Sequence, residues 1–142
     1  MDKKIREELQ KVELFSCLTE EQLDMMAEGS RITSIPSKAA LIHQDGNEDD
    51  VYLIISGNVE ILRKLSDCKD GRCIAKIGPG EIIGEISALT NRPSSASVVA
   101  TTACTAVQIP RGVFLESVRK NLTAMSKLTL SVVRRVRETM GS

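Results

Sequence analysis

Between residues 31 and 110 the chain never sustains a helical apolar period, and β-branched residues recur in short bursts cut by turn signals. Candidate strands fall at 31–35, 40–43, 51–56, 58–64, 72–77, 97–101 and 105–109. Between them stand Asp45-Gly46, Ser56-Gly57, Asp70-Gly71 and Gly78-Pro79-Gly80, residue pairs that favour tight reversals. Many short strands joined by close turns predict a sandwich or barrel.

Helical periods bracket this region. Residues 1–15 carry Ile5, Leu9 and Val12 at helical spacing among charges, which predicts one amphipathic helix. Thr19 with Gln22 forms a capping-box pattern, stapled by Leu18 and Leu23, and opens a second helix that places Leu23, Met26 and Ala27 inward and ends at Gly29. After Pro110, Val113, Phe114 and Val118 predict a short helix. Leu122, Met125, Leu128/Thr129, Val132/Val133, Val136 and Met140 predict a longer one. Its apolar stripe runs over about five turns, more than one face of a sheet needs covered.

One stretch, residues 82–98 (IIGEISALTNRPSSASV), interrupts the strand rhythm. An apolar pair leads into Gly84-Glu85 and a run long enough for one or two helical turns. A polar break follows before Val98-Val99 resumes a strand. Glycine at the start of a helix lets an anion approach main-chain N–H groups. Glu85 is unsuited to that anion and suited to accept from hydroxyl groups beside it. Together they offer what a sugar phosphate requires.

These residues resemble the phosphate-binding cassette of the cyclic nucleotide-binding domain family, of the catabolite activator protein and cAMP-dependent kinase regulatory subunit type. Gly84, Glu85, Ile86, Ser87, Leu89, Pro93, Ser95, Ala96, Ser97 and Val98 match its G-E-[LI]-[AS]-L-[LI]…P-R-[AST]-A-[TS]-V pattern without a gap. Further matches are Gly46, Tyr52, Ile54, Ser56-Gly57 and Gly78-Pro79-Gly80, while Ala39 replaces a common glycine. The likeness spans about residues 15–136. It implies a mainly β chain, an eight-stranded jelly roll with N-terminal helices, a short cassette helix and C-terminal helices. As one domain over 1–142, these parts fall at 1–30, 31–110 and 111–140.

The resemblance also implies roles. Glu85 would hold the ribose 2′-hydroxyl, and the phosphate would rest on main-chain N–H groups around Gly84, Glu85 and Ile86 and around Ser94, Ser95 and Ala96. The family's phosphate arginine is here Ser94. A hydrogen bond to a charged group contributes about 1.5–3 kcal/mol, so the replacement predicts binding weaker by roughly ten- to a hundredfold. Arg92 either swings in to compensate or points to solvent. Ser95 would touch the base in guanine-preferring relatives but also occurs in adenine binders, which leaves cAMP and cGMP both open. Asn121 and Arg134-Arg135 fall where the transcription-factor branch places such residues on its dimer helix, and Thr139 falls at its base-contacting threonine. The long C-terminal helix either pairs with a second copy or a partner protein, or folds back on its own sheet.

Composition narrows the classes. Zero formal net charge supplies no global attraction to nucleic acid or anionic lipid. The charged start, Met1 to Glu8, is not a signal peptide, and the longest apolar runs are far shorter than a membrane span, so a cytoplasmic location is the expectation. Cys17, Cys68, Cys73 and Cys104 form no CxxC pair and the single histidine is His43, a composition that predicts neither a metal site nor a cofactor. Asp70-Gly71 as a two-residue turn would set Cys68 opposite Cys73, a geometry that admits a disulfide, while a reducing cytosol favours free thiols. No hydrolase or nucleotide-triphosphate motif occurs, and Glu85 has no second carboxylate in the cassette, so catalysis is not expected. Arg134, Arg135 and Arg137 read as a solvated helix face, and no helix-turn-helix follows them, so output would pass through a partner or a longer protein. Two functions stand: a regulatory sensor of cAMP or cGMP, and the same fold with a degenerate pocket used for protein–protein contact. Ser94 and the lack of an aromatic lid favour the second; Gly84-Glu85 and Ser95-Ala96-Ser97 favour the first.

Overall fold

The computed structural model describes residues 3–46, 50–63, 72–91 and 96–140. Three helices come first: α1 (Lys3–Gln10), α2 (Glu13–Ser16) and α3 (Glu20–Gly29). Eight strands follow: β1 (Arg31–Ile35), β2 (Ala40–Ile42), β3 (Val51–Ser56), β4 (Val59–Arg63), β5 (Arg72–Ile77), β6 (Ile82–Ile83), β7 (Ser97–Ala100) and β8 (Cys104–Ile109). Helix α4 (Glu85–Thr90) interrupts them after β6, and α5 (Arg111–Val118) and α6 (Leu122–Met140) close the chain.

The strands make two antiparallel four-stranded sheets, ordered β1-β8-β3-β6 and β2-β7-β4-β5. This is the jelly roll the sequence implied. The central strands of the first sheet, β3 and β8, are buried on both faces. Val51, Leu53, Val107 and Ile109 face the helices, whereas Ile54, Cys104 and Ala106 face the second sheet. Burial on both sides explains why β3 opens on a continuous apolar run, Val51 to Ile55, without clean alternation. Phe15 of α2 meets Phe114 of α5 edge-to-face, with ring centroids 6.1 Å apart, at the centre of the helical layer.

Several expectations need correction. The first helix is two: the chain leaves α1 through i→i−3 bonds at Lys11 and Val12, and extended Val12 redirects the path. That turn buries Leu14 and Phe15 next to Leu9, which one straight helix cannot do. Thr19 and Gln22 do form the full capping box of α3. Helix α3 ends at Gly29 as the sequence predicts, without a positive φ there. The glycine's role is close approach, since a Cβ there would stand 2.6 Å from the Val113 side chain of α5. At the turn where Ala39 replaces a common glycine, the residue with positive φ is Lys38. Just before β3, the Asp50 carboxylate accepts from Gln108 Nε2 at 2.7 Å.

The β4–β5 ladder runs from Val59 opposite Ile77 to Arg63 opposite Arg72, with a bulge that leaves Leu62 opposite Cys73. The ladder position expected for Cys68 therefore belongs to Leu62. Cys68 lies outside the described residues, as do Asp70 and Gly71. Cys73 is an exposed free thiol. On α6 the inward stripe is Ala124 and Leu128, flanked by Met125 and Val132. Leu122, expected on it, is 86% exposed, and Leu130 (71%) and Val133 also face outward. Among the described residues no helix is long and apolar enough to cross a membrane.

Candidate functional site

Ile82 and Ile83 pair with Leu53 and Tyr52 and deliver the chain to Gly84 at a fixed depth inside the roll. Gly84 has φ 90, and a Cβ there would sit 2.5 Å from the Asp50 carbonyl oxygen. Only glycine makes this turn into α4 without strain. The turn points Glu85 inward.

Glu85 is 1% exposed, and its Oε1 has no hydrogen-bond partner among the described residues. Arg135 of α6 reaches toward it, Nε standing 3.8 Å from Oε1, too far for a hydrogen bond. The same guanidinium donates through Nη2 to the Ile82 carbonyl at 2.9 Å. Burial raises the carboxyl above its ordinary range; Arg135, the residue's own main-chain N–H and then Arg134 each draw it part of the way back. The site thus brings together a buried carboxyl group, a guanidinium from another element and an acceptor oxygen with no donor among the described residues.

The other sequence candidates divide. Ile86 lies beside Glu85, half-buried, its carbonyl accepting from the Thr90 hydroxyl at 2.7 Å. Ala96 is buried in the same apolar cluster as Ile42, Ile83 and Val98, which brings the two ends of the cassette to one core. Arg92, Ser94 and Ser95 lie outside the described residues. Thr139 belongs to the last turn of α6, and its side chain also lies outside them. His43 is exposed just past β2.

Arg135 is the residue sequence reasoning did not place here. Read as part of a solvated basic face, it instead keeps only 14% of its side chain exposed. The signal was present: Arg135 follows Leu128 by seven residues and so continues the buried stripe, where a cation needs a buried anion. Arg134 and Arg137 do face outward. The arm that carries Arg135 is pinned at its other end. Asn121 caps α6, its Oδ1 accepting from the Ala124 N–H at 3.0 Å. Its Nδ2 donates to the Cys17 carbonyl at 2.8 Å and to Gln22 Oε1 at 3.1 Å, the same oxygen that completes the α3 capping box. At the far end of the cassette helix, Arg111 Nε donates to the Ala88 carbonyl at 2.8 Å, so α5 holds the C-terminal end of α4.

Between α6, α2 and the β5–β6 turn lies an open cleft of about 740 Å³. Leu14, Ile82 and Leu130 give it apolar walls, and its charged lining is mixed: Lys76, Lys127, Arg134 and Arg135 against Glu13 and Glu81.

The sequence profile of the cyclic nucleotide-binding domain matches residues 32–121. Among curated proteins, potassium channel AKT2 of rice (Oryza sativa subsp. japonica) is 31% identical over 108 residues, which are 76% of this chain and 12% of the channel. The cAMP-activated global transcriptional regulator CRP of Escherichia coli is 29% identical over 122 residues, 85% of this chain and 58% of the regulator. The chain therefore spans a minor part of the channel and little more than half of the regulator. Among solved structures, the catabolite activator protein of Thermus thermophilus is 28% identical and superposes with a TM-score of 0.75, covering 89% of this chain and 59% of that one.

Proposed function

The chain belongs to the cyclic nucleotide-binding domain family, and from that premise we propose that it is a sensor module in which Glu85 takes the ribose hydroxyls of cAMP or cGMP and α6 responds. The observation that carries this reading is the buried, unfilled Oε1 of Glu85. A buried acceptor without a donor costs about 1–3 kcal/mol, more when charged, and a ligand hydroxyl supplies the missing donor. Gly84 and Ile86 flank Glu85 in the chain and Ala96 shares a core cluster with Ile83, and Ser94 and Ser95 are assigned to the phosphate side by the family pattern. Arg92 and Thr139 remain secondary candidates for phosphate and base.

Response follows from competition. Hydroxyls that bond Glu85 replace the attraction now supplied by Arg135, so bound and free states differ in their contacts with α6, as a switch requires. Asn121 keeps the near end of α6 fixed while the Arg135 end changes partners. The outward Leu122, Leu130 and Val133 give the helix a face for a second copy or a partner protein. We place this module in the cytoplasm, with no catalytic role.

One observation favours the degenerate module: Arg135 already lies against Glu85, so the pocket partly satisfies itself. Calorimetric titration of cAMP and cGMP into wild type, Glu85→Ala and Ser94→Arg separates the two. A sensor binds as wild type on the order of micromolar and loses at least tenfold in Glu85→Ala. Binding only after Ser94→Arg assigns the chain to the degenerate module.

A further inference from the structure

A carboxylate and a carboxylic acid require different neighbours. The ionised form needs hydrogen-bond donors at both oxygens, whereas the acid carries a proton of its own. Glu85 is 1% exposed, so almost no bulk water reaches it, and its Oε1 accepts no hydrogen bond among the described residues. The guanidinium beside it is held back. Arg135 donates through Nη2 to the Ile82 carbonyl at 2.9 Å, and Ile82 is itself fixed in the ladder opposite Leu53. In that pose Nε stops 3.8 Å from Oε1, close enough to attract but too far to bond.

The charged groups around it do not supply the missing donor. From α6, Arg135 and more weakly Arg134 favour the ionised form by their charge. From α5, Arg111 is engaged by the Ala88 carbonyl at the other end of α4. From the segment entering β3, whose main chain abuts Gly84, the Asp50 carboxylate accepts from Gln108. Burial outweighs the two arginines and holds the Glu85 carboxyl above its ordinary range. Ligand hydroxyls shift that balance, because each O–H that donates to the ionised form stabilises it over the acid.

Resting on the sensor reading above, we infer that the pocket is proton-linked: without ligand, Glu85 keeps a proton over a pH range in which an exposed glutamate has lost it, and it releases that proton as ribose hydroxyls bond to it. The O–H bond of the acid breaks, the proton passes to buffer, and the electron pair stays on the carboxylate that accepts from the ligand. Protons and cyclic nucleotide thus compete for one oxygen pair. The sign follows. The carboxyl titrates at higher pH without ligand than with it, so between those two values binding releases a proton and affinity rises with pH. Above the ligand-free value the affinity levels off.

Two measurements test this. Calorimetric titration of cAMP and cGMP between about pH 5 and 8, in buffers of different ionisation enthalpy, counts the protons released by wild type, Glu85→Gln and His43→Gln. His43→Gln removes the single histidine, the other side chain that ordinarily titrates near neutrality. Carbon-13 resonances of the glutamate carboxyls, with Glu85 assigned by its loss in Glu85→Gln, follow the group itself with and without saturating ligand. The expected result is affinity for both nucleotides that rises by up to about tenfold per pH unit with release of at most about one proton, unchanged in His43→Gln and absent in Glu85→Gln. The Glu85 midpoint should lie above the ordinary 4.5 in the free protein and fall on saturation, and these midpoints decide alone should Glu85→Gln no longer bind. Binding that is independent of pH and releases no proton overturns the linkage and leaves the sensor reading standing. A ligand-free midpoint at or below 4.5 overturns it as well. So does proton release that persists in Glu85→Gln or vanishes in His43→Gln. If neither nucleotide binds although the midpoint is raised, the sensor reading falls and takes this inference with it.

Discussion

Replacing Arg135 with glutamine deletes the charge that faces Glu85 and removes little volume. At 3.8 Å and an effective dielectric of about 20, the pair attracts by about 4 kcal/mol. Stability never realises the whole of it, because a stranded Glu85 takes up a proton instead. At about 1.4 kcal/mol for each pH unit above the ordinary value of 4.5, that neutralisation sets a ceiling of about 3 kcal/mol at pH 7. Burial already holds the carboxyl high in the wild type, so the part owed to Arg135 is smaller than that ceiling. The sign with pH follows. A carboxyl raised in the folded state contributes fully below its unfolded value, and the contribution is lost as pH rises through the folded value. Removing Arg135 raises the folded value further, which deepens the loss at pH 7 and changes little at pH 4. Urea unfolding of wild type, Arg135→Gln, Glu85→Gln and the double variant gives the coupling by cycle, with the Ile82 hydrogen bond cancelling. The expected coupling is about 1–3 kcal/mol at pH 7 and below about 0.5 kcal/mol at pH 4. A coupling equal at the two pH values, or negligible at both, refutes the reasoning.

Asn121→Ala removes the α6 cap and two interhelical bonds and is expected to cost about 1–2 kcal/mol in urea unfolding, with Asn121→Asp recovering part by keeping the cap acceptor. Gly84→Ala meets both a positive φ and the Asp50 carbonyl, so it should cost at least about 2 kcal/mol, against about 1 kcal/mol for Gly80→Ala, where φ is positive but the space is open. Thermal unfolding of the two variants side by side checks the difference. Leu130→Glu should leave the stability of the single chain within about 0.5 kcal/mol and abolish self-association in sedimentation; unchanged sedimentation of an associating protein would take Leu130 out of the interface.

The strands were legible because β-branched bursts and turn residues punctuate them, and burial on both faces did not erase that rhythm. Ile82–Ile83 was seen only as an apolar pair, since a two-residue strand has no period of its own. The β4–β5 register was not legible: the bulge beside Leu62 shifts every later partner, and counting back from a supposed turn cannot detect an inserted residue. Gly29 was legible as the end of α3, but its close packing on Val113 of α5 was not, because no local pattern reports a contact between such distant segments. Glu85 was recognised by its neighbours in sequence, but its partner lies fifty positions away on α6. No local pattern reports such a contact. The seven-residue interval from Leu128 to Arg135 is the nearest thing to a written clue.

The pinning of α6 at Asn121 makes the helix a lever. Fourteen residues separate its pivot from Arg135, and at 1.5 Å of rise each the arm is about 21 Å long. A tilt of about 10° at the pivot sweeps the guanidinium nearly 4 Å, as far as its present gap to Glu85. An angular change small enough to leave the Asn121 bonds intact is thus amplified, along one rigid rod, into the complete making or breaking of a charge contact.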